Sequence, residues 1–450
     1  MLHRSIEEKL SDHLTNRRNR ALLITGARQV GKTFVIRKVL RDLALPYVEF
    51  NFIENEEACH AFQNVSDAKT LLLRLSALTD QKLIPGKTVI FFDEVQVCKE
   101  IVTAIKFLVD EGSYSYILSG SLLGVLLKDI RSVPVGYMDE LRMYPLSLKE
   151  FYAAIGLKNE TFEHIKASFE NKTPVDPVIH QRLMDAFRLY LVVGGMPAVV
   201  QKYLDTNNIN EVITEQNSII TAYKRDISKY DPDNKLYIED IFNIIPAELN
   251  CKNKRFILKD LNENLKFNRY SNSFLWLADA GVALPTYIAD EPVSPLTLSK
   301  ATNLFKLFLS DVGLLAAMYM NGIQSKILSG DDNFNFGSVY ENAVAQELTA
   351  GGYNLFFYNN KKNGEVDFLI ENKGVVLPIE VKSGKNYVRH RALANILDVK
   401  SYGLKEAYVF CNDNISIDGK VTYLPVYMAM FLHNEVKLED PIYKLDLSDV

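Results

Sequence analysis

The sequence has little cysteine, a single tryptophan, no surplus of basic charge and no long apolar run. Four cysteines, Cys59, Cys98, Cys251 and Cys411, are scattered through 450 residues and form no C-x-x-C pair. This argues against a disulfide framework or a zinc site and suits buried thiols in a reducing cytoplasm. No apolar stretch reaches the roughly 20 residues that span a bilayer. The opening Met1-Leu2-His3-Arg4-Ser5-Ile6-Glu7-Glu8 lacks the apolar core of a secretory signal, so a cytoplasmic chain with no membrane partner is expected. Lys and Arg number 51 against 56 Asp and Glu, a formal net charge of −5, so any contact with nucleic acid needs a local basic patch. The remainder is ordinary globular material, 48% hydrophobic and 24% charged, which argues against a largely disordered chain. Its length suits about three domains.

Against this background one stretch carries a specific chemistry. Gly26-Ala27-Arg28-Gln29-Val30-Gly31-Lys32-Thr33 follows the apolar run Ala21-Leu22-Leu23-Ile24 and opens onto a helical run from Phe34 to Leu43. Strand, glycine-bounded loop and helix with the pattern G-x-x-x-x-G-K-[ST] make a P-loop. Its glycines let backbone N–H groups close around phosphate oxygens, and the helix N-terminus adds partial positive charge. Lys32 is placed to reach the β- and γ-phosphates of ATP, and Thr33 to offer its hydroxyl to Mg²⁺.

Two later strands supply the partners such a loop needs. Thr88-Val89-Ile90-Phe91-Phe92-Asp93-Glu94 is a continuous apolar run ending in two acids, the pattern of a buried parallel strand whose carboxyl end meets a ligand. Asp93 is the expected Mg²⁺ holder, and Glu94 the group that orients and deprotonates an attacking water. Ser113 to Ser121 reads as another central strand. In AAA+ ATPases, which this part of the chain resembles, the residue at the end of this strand contacts the γ-phosphate or the water; the resemblance implies Ser119 first and Ser121 second in that role, with a turn serine as the bland alternative.

These motifs, with LSGS, YPLSLKEF (144–151), YLVVGGMPAVV (190–200) and YKRDI (223–227), come in an order that resembles AAA+ ATPases of the AAA_14/DUF4143 type, over residues 20 to 230. The resemblance implies an ATPase core over 1–165 and a small helical lid over 166–230, whose closure couples hydrolysis to what lies downstream. Many relatives carry an arginine where this chain has Tyr137 after Gly136. Arg131, Arg142 and Arg225 are alternatives for that charge, Arg225 being preferred, with a surface salt bridge as the bland reading of each.

Residues 231–325 change character. Helical runs at 236–245, 254–265 and 270–280 precede extended pieces at 282–288 and 304–309, the outline of a winged helix. Lys252, Lys254, Arg255, Lys259, Lys266 and Arg269 give it local positive charge, and DNA or RNA is a candidate partner there. A spacer that contacts protein is the competing reading.

The last segment, 326–450, holds a second constellation. An amphipathic helix from Gly337 to Leu348 is followed by strands at 355–358, 365–370 and 375–381. Asp367 and Glu380 stand on neighbouring strands, and Glu380 and Lys382 share a face by the two-residue period. Two carboxylates can hold a hard divalent ion, and a lysine can steady a hydroxide or a phosphate transition state. The set resembles the PD-(D/E)XK restriction-endonuclease-like family. That resemblance implies Asp367 and Glu380 as Mg²⁺ ligands, Lys382 as a catalytic residue and Glu341 as an accessory acid. The fold expected is therefore α/β: a P-loop AAA+ core with a helical lid, a winged-helix-like middle domain and a C-terminal restriction-endonuclease-like domain. The function expected is ATP hydrolysis coupled to a domain that binds nucleic acid, its cleavage left open. The alternative is a nucleotide-switched protein-binding module.

Overall fold

The computed structural model describes residues 2–16, 19–65, 67–121, 136–230, 235–251, 267–319, 322–330 and 336–434. Arg131, the basic residues Lys252, Lys254, Arg255, Lys259 and Lys266, and the helix expected at 254–265 lie outside them.

The most apolar runs form the middle of a five-stranded sheet. Strands β1 (Ala21–Thr25) and β3 (Val89–Asp93) are buried at every position, as runs without polar alternation require. β2 (Tyr47–Asn51) buries only Val48 and Phe50 and lies at one edge; β5 (Met138–Arg142), mostly polar, lies at the other. With β4 (Ser115–Ser119) the order is β2-β3-β4-β1-β5, and every pair is parallel. β1 divides its side chains between two cores. Leu22 and Ile24 pack with Val35, Ile36 and Val39 of the helix Lys32–Asp42. Ala21 and Leu23 pack with Ile101 and Ile105 of the helix Glu100–Glu111. The order sets the carboxyl end of β4 between the loop that follows β1 and the acids that end β3.

Five helices follow, Leu148–Ala154, Asn159–Asn171, Pro177–Val193, Pro197–Thr206 and Ile209–Tyr230. Asp176 caps the third by accepting from Val178 N and Ile179 N, with proline in the first turn. Gly194-Gly195 separates the third from the fourth.

The second sheet has eight strands in the order β12-β13-β11-β10-β9-β8-β6-β7. They are β6 (Ala283–Ala289), β7 (Lys300–Leu309), β8 (Phe356–Asn360), β9 (Gly364–Asn372), β10 (Val375–Val381), β11 (Ala407–Cys411), β12 (Ser416–Asp418) and β13 (Val421–Pro425). This corrects the winged-helix reading. β6 and β7 pair with each other as a wing would, but β6 also pairs in parallel with β8, so one sheet crosses the boundary drawn at residue 325. The physical reason is burial. Leu284, Ile288, Leu307, Phe308 and Leu309 are all inaccessible, whereas a wing needs one face in water.

A second correction concerns the helix Gly337–Ala350, expected to be amphipathic. Residues 338 to 348 are all buried, its polar side chains included. Asn342 accepts from Leu309 N at 2.8 Å and donates to Leu309 O at 2.9 Å. Gln346 accepts from Val312 N at 3.0 Å and donates to Tyr190 Oη at 2.8 Å. Glu347 accepts from Leu148 N at 2.8 Å. The polar face is thus a buried seam that ties the eight-stranded sheet to the helix Leu148–Ala154, which follows β5, and to the helix Pro177–Val193.

The cysteines supply a third correction. Cys59, at the end of the short helix Glu56–His60, and Cys98, beyond β3, come together as a disulfide despite a separation of 39 residues. Cys411 is buried, as expected, and Cys251 is exposed. Among the described residues no single helix is long and apolar enough to cross a membrane.

Candidate functional site

The loop after β1 is shaped by its neighbours. Gly26 has φ 144°, and a Cβ there would collide with the carbonyl of Met143, next to β5. Only glycine lets the loop lie this close. From the opposite side, a Cβ on Gly281 would come within 2.9 Å of Ala27 N, so the segment leading into β6 also presses on the loop. Met143 N donates to Thr25 O at 2.8 Å and fixes the entry.

Gly31 ends the loop and the helix starts at Lys32. Lys32 is 8% exposed, and its Nζ donates to Gly26 O at 3.0 Å and to Ala27 O at 2.9 Å. Burial pulls its pKa down to about 8, against the opposing pull of Glu94 and Asp93. Thr33 Oγ1 donates to Asp93 Oδ2 at 2.9 Å. Two ligands at right angles on an octahedral Mg²⁺ with bonds of about 2.1 Å stand about 3.0 Å apart, so this oxygen pair fits the ion. Asp93 takes its other hydrogen bond from Ser119, which is fully buried behind it. Ser121 instead lines the cleft.

Glu94 has φ 56°, a left-handed backbone unusual for a residue with a side chain. It turns the chain off β3 and sets the carboxylate at the cleft. Gln96 Nε2 donates to Glu94 Oε2 and lies 3.4 Å from Ser121 Oγ. The sequence reading missed Gln96, whose place three residues past Asp93 was the available signal. The cleft holds about 510 Å³ and is lined by Arg28, Lys32, Thr33, Arg37, Glu94 and Ser121 among others. Gln29 and Gly31 contribute to its wall, whereas Val30 is buried in the core.

Of the arginines expected to sense phosphate, Arg142 donates to Ala278 O at 2.9 Å and Arg225 is exposed; neither lines this cleft. Tyr137 Oη donates to Asp110 at 3.3 Å.

The second constellation is built differently. Register sets Ile379 opposite Phe368, which puts Glu380 beside Asp367 on adjoining strands. Asp367 Oδ2 accepts from Val381 N at 2.9 Å, and Lys382 Nζ lies 2.7 Å from Glu380 Oε2. Burial, then the neighbouring Asp367, pushes the Glu380 pKa well above the usual carboxylate range. Burial works against the Lys382 charge, but Glu380 and Asp367 outweigh it and hold its pKa above the ordinary lysine value. The Glu341 charge also acts on Lys382. Asp367, Glu380 and Lys382 therefore meet. Glu341, Asp367 and Glu380 do not close into a three-ligand set. The acids offer the hard oxygen donors that suit a divalent ion, and a cation would relieve the repulsion between Asp367 and Glu380.

Comparisons with known proteins agree with this division. An AAA domain family matches residues 18–152, and two domains of unknown function, DUF8612 and DUF4143, match residues 184–326 and 336–428. Residues 18–152, which carry the loop after β1 and the acids that end β3, are thus similar to AAA domains. The chain is 21% identical over 446 residues to the uncharacterized protein MJ1637 of Methanocaldococcus jannaschii, covering 93% of this chain and 86% of that protein. Among solved structures, it is similar to the Walker-type ATPase PABY2304 of Pyrococcus abyssi, at 14% identity and a TM-score of 0.45 over 71% of this chain and 96% of that one. It is also similar to PCH-2 of C. elegans, at 13% identity and a TM-score of 0.22 over 35% of this chain and 51% of that one.

Proposed function

We propose that this protein binds ATP with Mg²⁺, hydrolyses it, and passes the nucleotide state to a nuclease-like C-terminal domain that binds nucleic acid. The observation that carries the first part is the convergence of Lys32, Thr33 and Glu94 on one cleft, with Asp93 buried directly behind Thr33 and bonded to it. In this reading Lys32 exchanges the carbonyls of Gly26 and Ala27 for phosphate oxygens, and the loop N–H groups hold the phosphates. Thr33 and Asp93 hold Mg²⁺, which supplies charge neutralisation at the transferring phosphoryl group. Glu94, steadied by Gln96, takes the proton of the attacking water. Ser119 fixes Asp93, and Ser121 is the hydroxyl available to phosphate or water.

The route to the second constellation is a chain of buried contacts. Asp311 is buried and seats the Gly194-Gly195 break: Gly195 N donates to it at 2.6 Å and Leu314 N at 2.9 Å. It caps the helix Val312–Met318, and Val312 N in turn meets Gln346 of the helix Gly337–Ala350. That helix carries Glu341. A movement of the helices after residue 177 would therefore reach Asp367, Glu380 and Lys382.

One observation favours the second reading, a nucleotide-switched docking module. Glu341, Asp367 and Glu380 are 2%, 8% and 3% exposed, and Lys382 is satisfied by Glu380, so the acids face inward. The two readings separate on purified full-length protein. If Lys32→Ala abolishes ATP hydrolysis while the wild type with Mg²⁺ or Mn²⁺ nicks DNA or RNA, and Lys382→Ala does not, the coupled nuclease stands. Hydrolysis without nicking of either nucleic acid leaves the docking module. No hydrolysis above the Lys32→Ala background sinks the ATPase reading.

A further inference from the structure

By the resemblance above, Tyr137 stands where many relatives carry an arginine, and neither Arg142 nor Arg225 lines the cleft. Three other arginines line the cleft, Arg28, Arg37 and Arg41, of which Arg37 is paired with Glu49 and only Arg28 belongs to the loop itself. Arg28, the third residue of the loop, lines it together with Lys32, Thr33, Glu94 and Ser121. Its charge is near enough to oppose that of Lys32.

Arg28 is also held by the helix Ile209–Tyr230. Its guanidinium pairs with Asp226, and its carbonyl accepts from Tyr223 Oη at 3.1 Å. The partners are unequal: the Arg28 side chain is 52% exposed and that of Asp226 10%. Asp226 is nearly closed off from water, whereas half of the Arg28 side chain is open to it on the cleft side. A γ-phosphate offers three acceptor oxygens and more negative charge than one carboxylate, and a guanidinium binds it in a forked geometry. A diphosphate lacks that group.

We propose that Arg28 senses the nucleotide state in cis, pairing with Asp226 when no triphosphate is bound and turning to the γ-phosphate when one is, which releases the helix Ile209–Tyr230. The inference rests on the ATP reading above. It supplies the missing arginine from within the chain, so the sensing step needs no second subunit.

The test is equilibrium binding of fluorescent ATPγS and ADP to the full-length chain with Mg²⁺. Arg28→Ala is expected to weaken ATPγS by about tenfold or more, the value of a charge-assisted contact, and to change ADP by less than about threefold. Asp226→Asn frees the arginine and is expected to tighten ATPγS about three- to tenfold, with ADP unaltered. In the Arg28→Ala background Asp226→Asn has nothing left to release, so its effect disappears. Equal losses for both nucleotides, or an Asp226→Asn effect that persists without Arg28, overturn the proposal. Should Arg28→Ala not fold, the absence of ATPγS tightening in Asp226→Asn overturns it. Failure of wild type to bind either nucleotide defeats the ATP reading and the sensor together. Binding that depends on Lys32 but shows no discrimination at Arg28 defeats the sensor alone.

Discussion

The two candidate sites each contain a lysine, Lys32 nearly shut away from water and Lys382 half-buried, and the two are held in opposite ways. Lys32 rests on neutral carbonyls of its own loop, and burial draws its pKa down to about 8. Lys382 rests on a carboxylate, and the acids around it hold its pKa up. Lys32 borders a cleft of about 510 Å³; Lys382 closes a group of acids that face inward. A cation held only by carbonyls is poised for an anion that arrives from outside. A cation already matched by a carboxylate stabilises the fold first, and any chemistry there must break that pair. The same residue type thus reads as a ligand site in one place and as a structural tie in the other.

The sharpest way to break the comparison is to remove each lysine in turn. Lys32→Ala is expected to lower ATP turnover by about 100- to 1,000-fold, the loss typical of one preorganised electrostatic contact, with little change in melting temperature. Lys382→Ala is expected to do the reverse. It strands Glu380 beside Asp367 and costs about 3 kcal/mol, read as a fall in denaturant midpoint, while ATP turnover stays near wild type. A large stability loss at Lys32 and none at Lys382 would invert the assignment.

A smaller effect concerns the seam between the two regions. Burial raises the pKa of Glu347 to about 8 from an ordinary 4.5. The folded state therefore holds a proton that the unfolded chain has released. Its contribution to stability is present in full below about pH 4.5 and is lost as pH rises through about 8. Glu347→Gln removes that dependence. Relative to wild type the variant should gain stability between pH 5 and pH 9, by roughly 2 kcal/mol once relaxation of the site is allowed for. A difference flat across that range would show that the seam does not titrate. The smallest effect is expected at Arg225→Ala, an exposed side chain outside the cleft, where ATP turnover should stay within about twofold of wild type.

The elements around the cleft were legible because their signals are local. β1 and β3 are apolar runs, β4 has an apolar centre, and the loop and acids sit at the ends of the first two. β5 was not legible: Met138-Asp139-Glu140-Leu141-Arg142 reads as polar, and an edge strand needs only one neighbour. The polar residues of the helix Gly337–Ala350 looked like a solvent face because their partners, Tyr190, Leu148 and Leu309, are far away in sequence. The same distance hid the pairing of Arg28 with Asp226 and the disulfide between Cys59 and Cys98. The strands β6 and β7 have the outline of a wing, and only the pairing of β6 with β8 and the burial of residues such as Leu284, Ile288 and Phe308, both tertiary properties, assign them to the larger sheet.

The most direct test of the central claim is Glu94→Gln, assayed for ATP binding and for phosphate release with Mg²⁺. The substitution keeps the size and the hydrogen bond from Gln96 but cannot accept a proton. The account requires ATP affinity within a few-fold of wild type and phosphate release reduced by about 100-fold or more. Phosphate release by Glu94→Gln at the wild-type rate would contradict it.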